Sequence, residues 1–299
     1  MSRVPGGRPV FPPRVVVQVK ALACELPAKR GLPLSRYSRR DLAREVVRQG
    51  IVAAISGATV WRWLDRDAIR PWRFRSWIFP RDPAFAAKAG RVLDLSHGRW
   101  NGAPLGPEDY VLCADEKPSI QARCRLHPTA PARPGQPIRV EHTYARAGAL
   151  VYLAAWDVRR AKLFGRCEPN SGIVPFDHLV RDVMSQAPYT SARRVFWIVD
   201  NGSAHRGPRA VDRLARRWPN LRLVHLPIHA SWLNQVEIYF SILERKALRP
   251  NTFESLFALE DCILAFQDRY QQHAVPFEWK YTRQDLARFL AKLSLPQAA

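Results

Sequence analysis

Arg194-Val-Phe-Trp-Ile-Val-Asp200-Asn-Gly-Ser-Ala-His205 is a continuous apolar run that stops on a carboxylate and an Asn-Gly turn. Such a run, bounded by a turn signal, reads as a strand buried on both faces, in the middle of a sheet covered by helices. Sheets of that kind place their chemistry beyond the C-terminal ends of the strands. Asp200 stands there, where a bare charge is costly unless a cation meets it. Taken alone, it could equally cap the helix that opens near Pro208 or fold back on the Asn-Gly turn.

A second block has the same design. Tyr110-Val-Leu-Cys-Ala-Asp115-Glu-Lys is again an apolar run ending on Asp. A third carboxylate, Glu237, lies in His229-Ala-Ser-Trp-Leu-Asn-Gln-Val-Glu237, where a helix begins. Two strand-end aspartates and a glutamate at a helix start have the makings of a ligand set. Glu237 also has an ordinary reading, because Asn234-x-x-Glu237 is a capping box.

The chain has 299 residues, enough for one large core and a smaller module. Its 47 Lys and Arg against 26 Asp and Glu leave a formal charge of +21, which favours a polyanionic partner. No run of about 18 apolar residues and no long basic amphipathic helix is present, so nucleic acid is expected rather than membrane. The cysteines (Cys24, Cys113, Cys124, Cys167, Cys262) are scattered and never spaced C-x-x-C, which argues against a zinc knuckle and a disulfide framework. Met1 to Pro9 has no apolar core of a secretory signal, and a cytoplasmic, nucleoid-associated protein is expected.

Along the chain, Pro, Gly and Arg up to about residue 14 predict a poorly ordered start. A helix is expected from Val15 to Leu26, although the Val-Val-Val run weakens it. Ser38-Arg-Arg-Asp41 is an acidic variant of the capping signature, followed by Leu42, Val46 and Val47 on one face. Ser56 caps a second short helix in which Ala58, Val60, Trp63 and Leu64 should pack inward. Thr59, Arg62 and Arg66 then face outward, as in a helix-turn-helix that reads a DNA groove; the plain alternative is an αα-hairpin with a solvated basic face. Ile69 to Pro83 alternates arginines, Arg73 and Arg75 among them, with aromatics. It suits a connector lying along phosphates or one docked on the next domain. Beyond residue 109 the pattern is mixed α/β. Strands are expected at 110–115, 138–144, 149–157, 161–167, 194–200 and 221–226, with helices at 176–184, 208–218, from Val236, from Thr252 to about His273, and from Thr282.

The blocks Ala114-Asp115-Glu-Lys, Val199-Asp200-Asn-Gly-Ser-Ala-His205 and Pro227-Ile-His-Ala-Ser-Trp-Leu-Asn-Gln-Val-Glu237 resemble the three catalytic blocks of mariner-type Asp-Asp-Glu transposases, in their bacterial insertion-sequence branch. The order of the blocks and the 36 residues between Asp200 and Glu237 carry the resemblance, which extends from about residue 35 to the end. It implies a ribonuclease-H-like mixed sheet flanked by helices, behind a small all-α helix-turn-helix module. The implied layout is a flexible start (1–14), the DNA-binding module (15–68), a basic aromatic linker with a leading helix (69–105), the catalytic domain (106–250) and C-terminal helices (251–299). Asp115, Asp200 and Glu237 match the catalytic carboxylates, implied to hold two Mg2+ ions, with Mn2+ able to substitute. Asn201, His205, His229, Ser231 and Asn234 match positions around them, implied to support the site or touch DNA. The implied partners are double-stranded DNA, as terminal inverted repeats and as target, and a second copy of the chain. Such proteins usually carry a pair of helix-turn-helix units; only one is evident before residue 68, so a short form or a fragment is expected.

Three carboxylates brought together repel, and hard divalent cations with oxygen ligands relieve that repulsion. The main rival is a catalytically inactive or truncated relative that binds DNA as a repressor, although a pure binder has no use for the carboxylate set. A structure-specific nuclease of the same fold would have little need for a groove-reading module. Asp200, Ser203 and His205 offer the residue types of a hydrolase triad, but they crowd into one turn with no Gly-x-Ser-x-Gly elbow. His205, His225 and His229 lack the pairing of a zinc site.

Overall fold

The structure is a computed structural model in which residues 11–74 and 80–294 are described. The chain divides into two units, Met1–Ile78 and Phe79–Ala299. Arg75 and the first ten residues lie outside the described residues, and with them most of the expected disordered start.

In the first unit, α1 (Pro13–Ala23), α2 (Arg39–Arg48) and α3 (Gly57–Arg66) bury Val15, Val19, Leu22, Leu42, Val46, Val60 and Leu64 together. Proline at the first position of α1 is preorganised for a helix, and burial of Val15 and Val19 outweighs the poor propensity of the valine run. The capping box at the start of α2 forms as expected: Asp41 N–H donates to Ser38 Oγ at 3.1 Å, and Ser38 N–H to the Asp41 carboxylate at 3.1 Å. Ser56 caps α3, its Oγ accepting from Thr59 N–H at 3.1 Å, without the reciprocal bond of a capping box. Three expectations need correction. Val47 and Ala58 are exposed, because one narrow stripe per helix suffices to fill so small a core. Residues 49–56 joining α2 to α3 also make a longer link than the 3–4 residues usual in a helix-turn-helix.

In the second unit, α4 (Phe85–Ser96) leads to a small hairpin, β1 (Arg99–Trp100) and β2 (Ala103–Pro104). A five-stranded sheet follows, built from β3 (Asp109–Cys124), β4 (Ala145–Asp157), β5 (Lys162–Glu168), β6 (Arg194–Val199) and β7 (Leu221–His225). The strand order is β5-β4-β3-β6-β7. The β3–β4–β5 meander is antiparallel and β6 and β7 add in parallel, so the sheet is mixed. Its helices are α5 (Ile173–Met184), α6 (Pro208–Arg217), α7 (Val236–Leu243), α8 (Leu256–Gln271) and α9 (Arg283–Ser294).

The two-residue alternation of the strands sorts the core into two layers. Val111, Cys113, Tyr152, Ala154, Trp156, Phe196 and Ile198 face α4, α7, α8 and α9. Leu112, Ala114, Val151, Leu153, Trp197 and Val199 face α5 and α6. Both faces are covered, so β6 is apolar from Val195 to Val199, and each of these fully buried side chains contributes roughly 1.5–3 kcal/mol. The leading helix α4 and the C-terminal helices α8 and α9 pack into the first layer.

The expected strand at 138–144 does not form; that stretch carries only the bridge Ala130↔Arg139, because the prolines around it remove ladder donors. β3 is far longer than 110–115, with Pro118 accommodated at a bulge between Lys117 and Ile120. The cap of α8 is Ser255 rather than Thr252.

Candidate active site

Asp115 and Asp200 belong to neighbouring parallel strands. The last β3–β6 pair is Cys113↔Ile198, so the two aspartates lie level, two residues beyond it at the C-terminal end of β6. Alternation after Val111 and Cys113 turns Asp115 to the face that α7 covers. Glu237 sits in the first turn of α7, whose Val236, Tyr239, Phe240 and Leu243 are buried against the sheet. The loop before α7 is tied down by Asp82, which accepts from Ile228 N–H at 3.1 Å and from Lys88 Nζ at 2.8 Å.

Asn234 does not form a capping box with Glu237. Its Nδ2 donates instead to the Ala114 carbonyl at 2.9 Å and to Asp115 Oδ2 at 3.3 Å, and α7 has no side-chain cap. Asp200 does not cap α6, which begins at Pro208 with Gly207 at its N-cap. It does take part in its turn: Oδ1 accepts from Gly202 N–H at 2.7 Å and pairs with His205 Nε2 at 2.5 Å. Both hydrogen bonds found for Asp200 among the described residues use Oδ1.

Electrostatics tie the acids together. Burial is the largest influence on Asp115 and pushes its carboxyl up, to about 7, with the charges of Asp200, Glu237 and Glu116 adding to the rise against the Glu116 N–H bond. Burial likewise raises Glu237, opposed by Lys117 and reinforced by Asp200. Asp200 moves the other way, held below the ordinary carboxylate range chiefly by the His205 hydrogen bond. Among the described residues, no three His, Cys, Asp or Glu side chains form a group ready to hold one metal ion. The chemistry of the donors nevertheless fits hard divalent cations: mutually repelling carboxylates share one end of the sheet, and the neighbouring Lys117 is engaged with Glu244 at 3.0 Å.

The supporting positions fall into two groups. Asn201 Nδ2 donates to the Leu226 carbonyl at 2.8 Å, joining the turns after β6 and β7. His205 is buried against Phe176, and its carbonyl accepts from the His225 ring at 2.7 Å. His205 and Asn234 bond the candidate carboxylates Asp200 and Asp115, and Asn201 braces the turn after Asp200. His229, with φ of +60°, and Ser231 are exposed instead, at the surface before α7. Glu116 and Gln235 were missed. Burial raises Glu116, and Asp200 is among its neighbouring charges. Gln235 is fully buried, with both amide atoms lacking a partner among the described residues. The position of Glu116 directly after Asp115 was a signal for the first; nothing local marked the second.

In the first unit, Arg62, Arg66 and Arg73 are exposed, but the half-buried Thr59 accepts from Arg62 at 3.2 Å and bonds Ser56 Oγ. Thr59, Arg62 and Arg66 border a groove of about 710 Å³ floored by Phe11, Val16, Val17 and Trp63.

The family described as DDE superfamily endonuclease matches residues 110–260, a span holding all three carboxylates. Among solved structures, the Mos1 mariner paired-end complex with Mn is 14% identical, with a TM-score of 0.57 over 98% of this chain and 79% of that one. The Mos1 strand transfer complex is 13% identical, with a TM-score of 0.52 over 96% of this chain and 78% of that one. These likenesses establish the ribonuclease-H-like fold. No curated protein matches the sequence. With half of its length matched and its carboxylates on adjoining elements of this sheet, the chain belongs to the DDE superfamily endonucleases.

Proposed function

We propose that this endonuclease is the transposase of a bacterial insertion sequence, which cleaves DNA at the element ends and joins the freed 3′-OH to target DNA. The observation that carries the reading is the level placement of Asp115 and Asp200 on adjoining strands, with Glu237 on the helix over that face. The Mos1 structures, solved with Mn and with Mg as paired-end complexes, support a divalent ion and DNA ends as partners.

Asp115, Asp200 and Glu237 would hold the ions, two Mg2+ with Mn2+ able to substitute. When bound, such ions activate an attacking oxygen and neutralise charge on the scissile phosphate. The chain's own residues supply the rest. His205 and Gly202 fix Asp200 through Oδ1 and leave Oδ2 to an ion. Asn234 orients Asp115 from the loop before α7. Arg62, Arg66 and Arg73 would meet DNA phosphates, with Thr59 set between Arg62 and the cap. His229 and Ser231, exposed at the surface before α7, would touch the strand. Two copies of the chain, one per element end, would form the working complex in the cytoplasm.

The test uses purified protein, Mg2+ and a duplex carrying the inverted repeats that bracket its reading frame. Wild type should nick at the repeat ends. Asp115→Asn, Asp200→Asn and Glu237→Gln should each abolish nicking while binding persists. Binding by the wild type with no cleavage in either Mg2+ or Mn2+ would instead identify a DNA-binding repressor.

A further inference from the structure

Two irregularities face each other beside the catalytic carboxylates. On β3, the bulge after Lys117 carries Ser119 at a φ of +55°. Beyond α7, residues Glu244–Leu248 widen into a π-turn, closed by Arg249 N–H donating to the Glu244 carbonyl at 2.9 Å. Widened turns of this kind often mark functional sites. Between the two lies a cavity of about 330 Å³.

Its lining is largely polar, and the charged residues in it are mostly cationic. Lys117, Arg123 and Arg249 surround a single carboxylate, Glu244, which takes Lys117 Nζ at 3.0 Å and Arg249 Nε at 2.5 Å. Arg123 is held over the Tyr144 ring at 5.0 Å. Lys117 is two residues from Asp115 and is the cation felt by Glu237. One acid among three bases leaves the cavity positive, directly along β3 from the acids of the site.

We propose that this cavity receives a backbone phosphate of the DNA strand running through the active site, a phosphate other than the scissile one. Glu244 holds the cations in position while the strand is absent, and the phosphate competes with it for Lys117 and Arg249. The inference rests on the reading of the protein as a DNA-cleaving enzyme and assigns a separate contact for its substrate.

The test is binding, read apart from cleavage. Full-length protein is titrated into a fluorescein-labelled 30-bp duplex in EDTA, by anisotropy, from 50 to 300 mM salt. Arg249→Ala should weaken binding and reduce the slope of log K against log salt by about 0.9, the value of one lost phosphate contact. Glu244→Gln should tighten binding by more than Glu278→Gln, which makes the same charge change at an exposed pair with Lys280. Opposite effects of Arg249→Ala and Glu244→Gln are not a signature of misfolding. If Glu244→Gln equals Glu278→Gln, or the slope for Arg249→Ala stays at the wild-type value, the assignment is overturned. Displacement of the duplex by inorganic phosphate, beyond chloride at matched ionic strength, would make the cavity a free-anion site and overturn it too. Nicking by the wild type together with either failure leaves the enzyme reading standing; absent nicking with the expected slopes removes that reading and keeps the phosphate site.

Discussion

Asp109→Asn tests the stability logic of the sheet that carries the site. The Asp109 side chain is fully buried at the start of β3 and joins that strand to the start of β6. It accepts from Arg194 Nε and an Arg194 terminal nitrogen, each at 3.0 Å, from both Arg193 donors, and from Gly106 N–H at 2.9 Å. Removing one partner of a buried ion pair costs about 3–5 kcal/mol. Arg193 is 56% and Arg194 29% exposed, so the orphaned cations can turn to water, and the lower end, about 3 kcal/mol, is expected. For a unit of this size that is a fall in Tm of about 6–12 °C at pH 7. Burial by itself would raise the Asp109 carboxyl, but the hydrogen bonds from Arg194 and then Arg193 outweigh it and hold it well below the ordinary range. A carboxyl with a depressed folded-state pKa stabilises above its unfolded pKa, about 3.9, and loses that contribution as pH falls towards the folded value. The difference between wild type and Asp109→Asn, followed by circular dichroism melts from pH 7 to 3, should therefore be constant down to about pH 4 and shrink below it. A Tm within 2 °C of wild type at pH 7, or a difference that widens in acid, would refute the reasoning.

Three further outcomes are expected. Ser38→Ala removes the capping box of α2 and should cost the first unit about 1 kcal/mol, seen as faster amide exchange in α2. Gly165→Ala drives a methyl into Tyr152 Oη and Gln267 Oε1, across their 2.7 Å hydrogen bond. A loss of about 1–3 kcal/mol in urea unfolding is expected, and an unchanged midpoint would show that the strand shifts freely. Arg62→Ala, on the proposed DNA face of the first unit, should lower the salt slope of duplex binding by about 0.9, and an unchanged slope would remove Arg62 from that face.

Much of the candidate site was legible because its signals are local. The apolar run of β6 ends on Asp200 within one strand length, and the Ser38–Asp41 and Ser56 caps act over three residues, so chain order alone exposes them. The strand expected at 138–144 failed because its one bridge runs to the preceding proline-rich stretch, which ends on Pro137 and offers few ladder donors. The resemblance put Asn234 near the site, but its neighbours in the chain suggested only half of a capping box, since its actual partner, the Ala114 carbonyl, lies 120 residues away. The burial of α4, α8 and α9 against the sheet was equally invisible, because an amphipathic stripe says that a face is buried but not against what.

By itself, then, the sequence determined the acidic blocks, their order and spacing, the basic excess and most helix starts, all properties of residues near one another in the chain. Tertiary structure alone decided that Asp115 and Asp200 stand level and that His205 occupies one oxygen of Asp200. It also decided that a bulge and a π-turn enclose a cationic cavity beside them. The reason is physical: strand register and the packing of α7 on the sheet are set by burial of side chains distant in sequence, and charges shift one another only once that burial has brought them together.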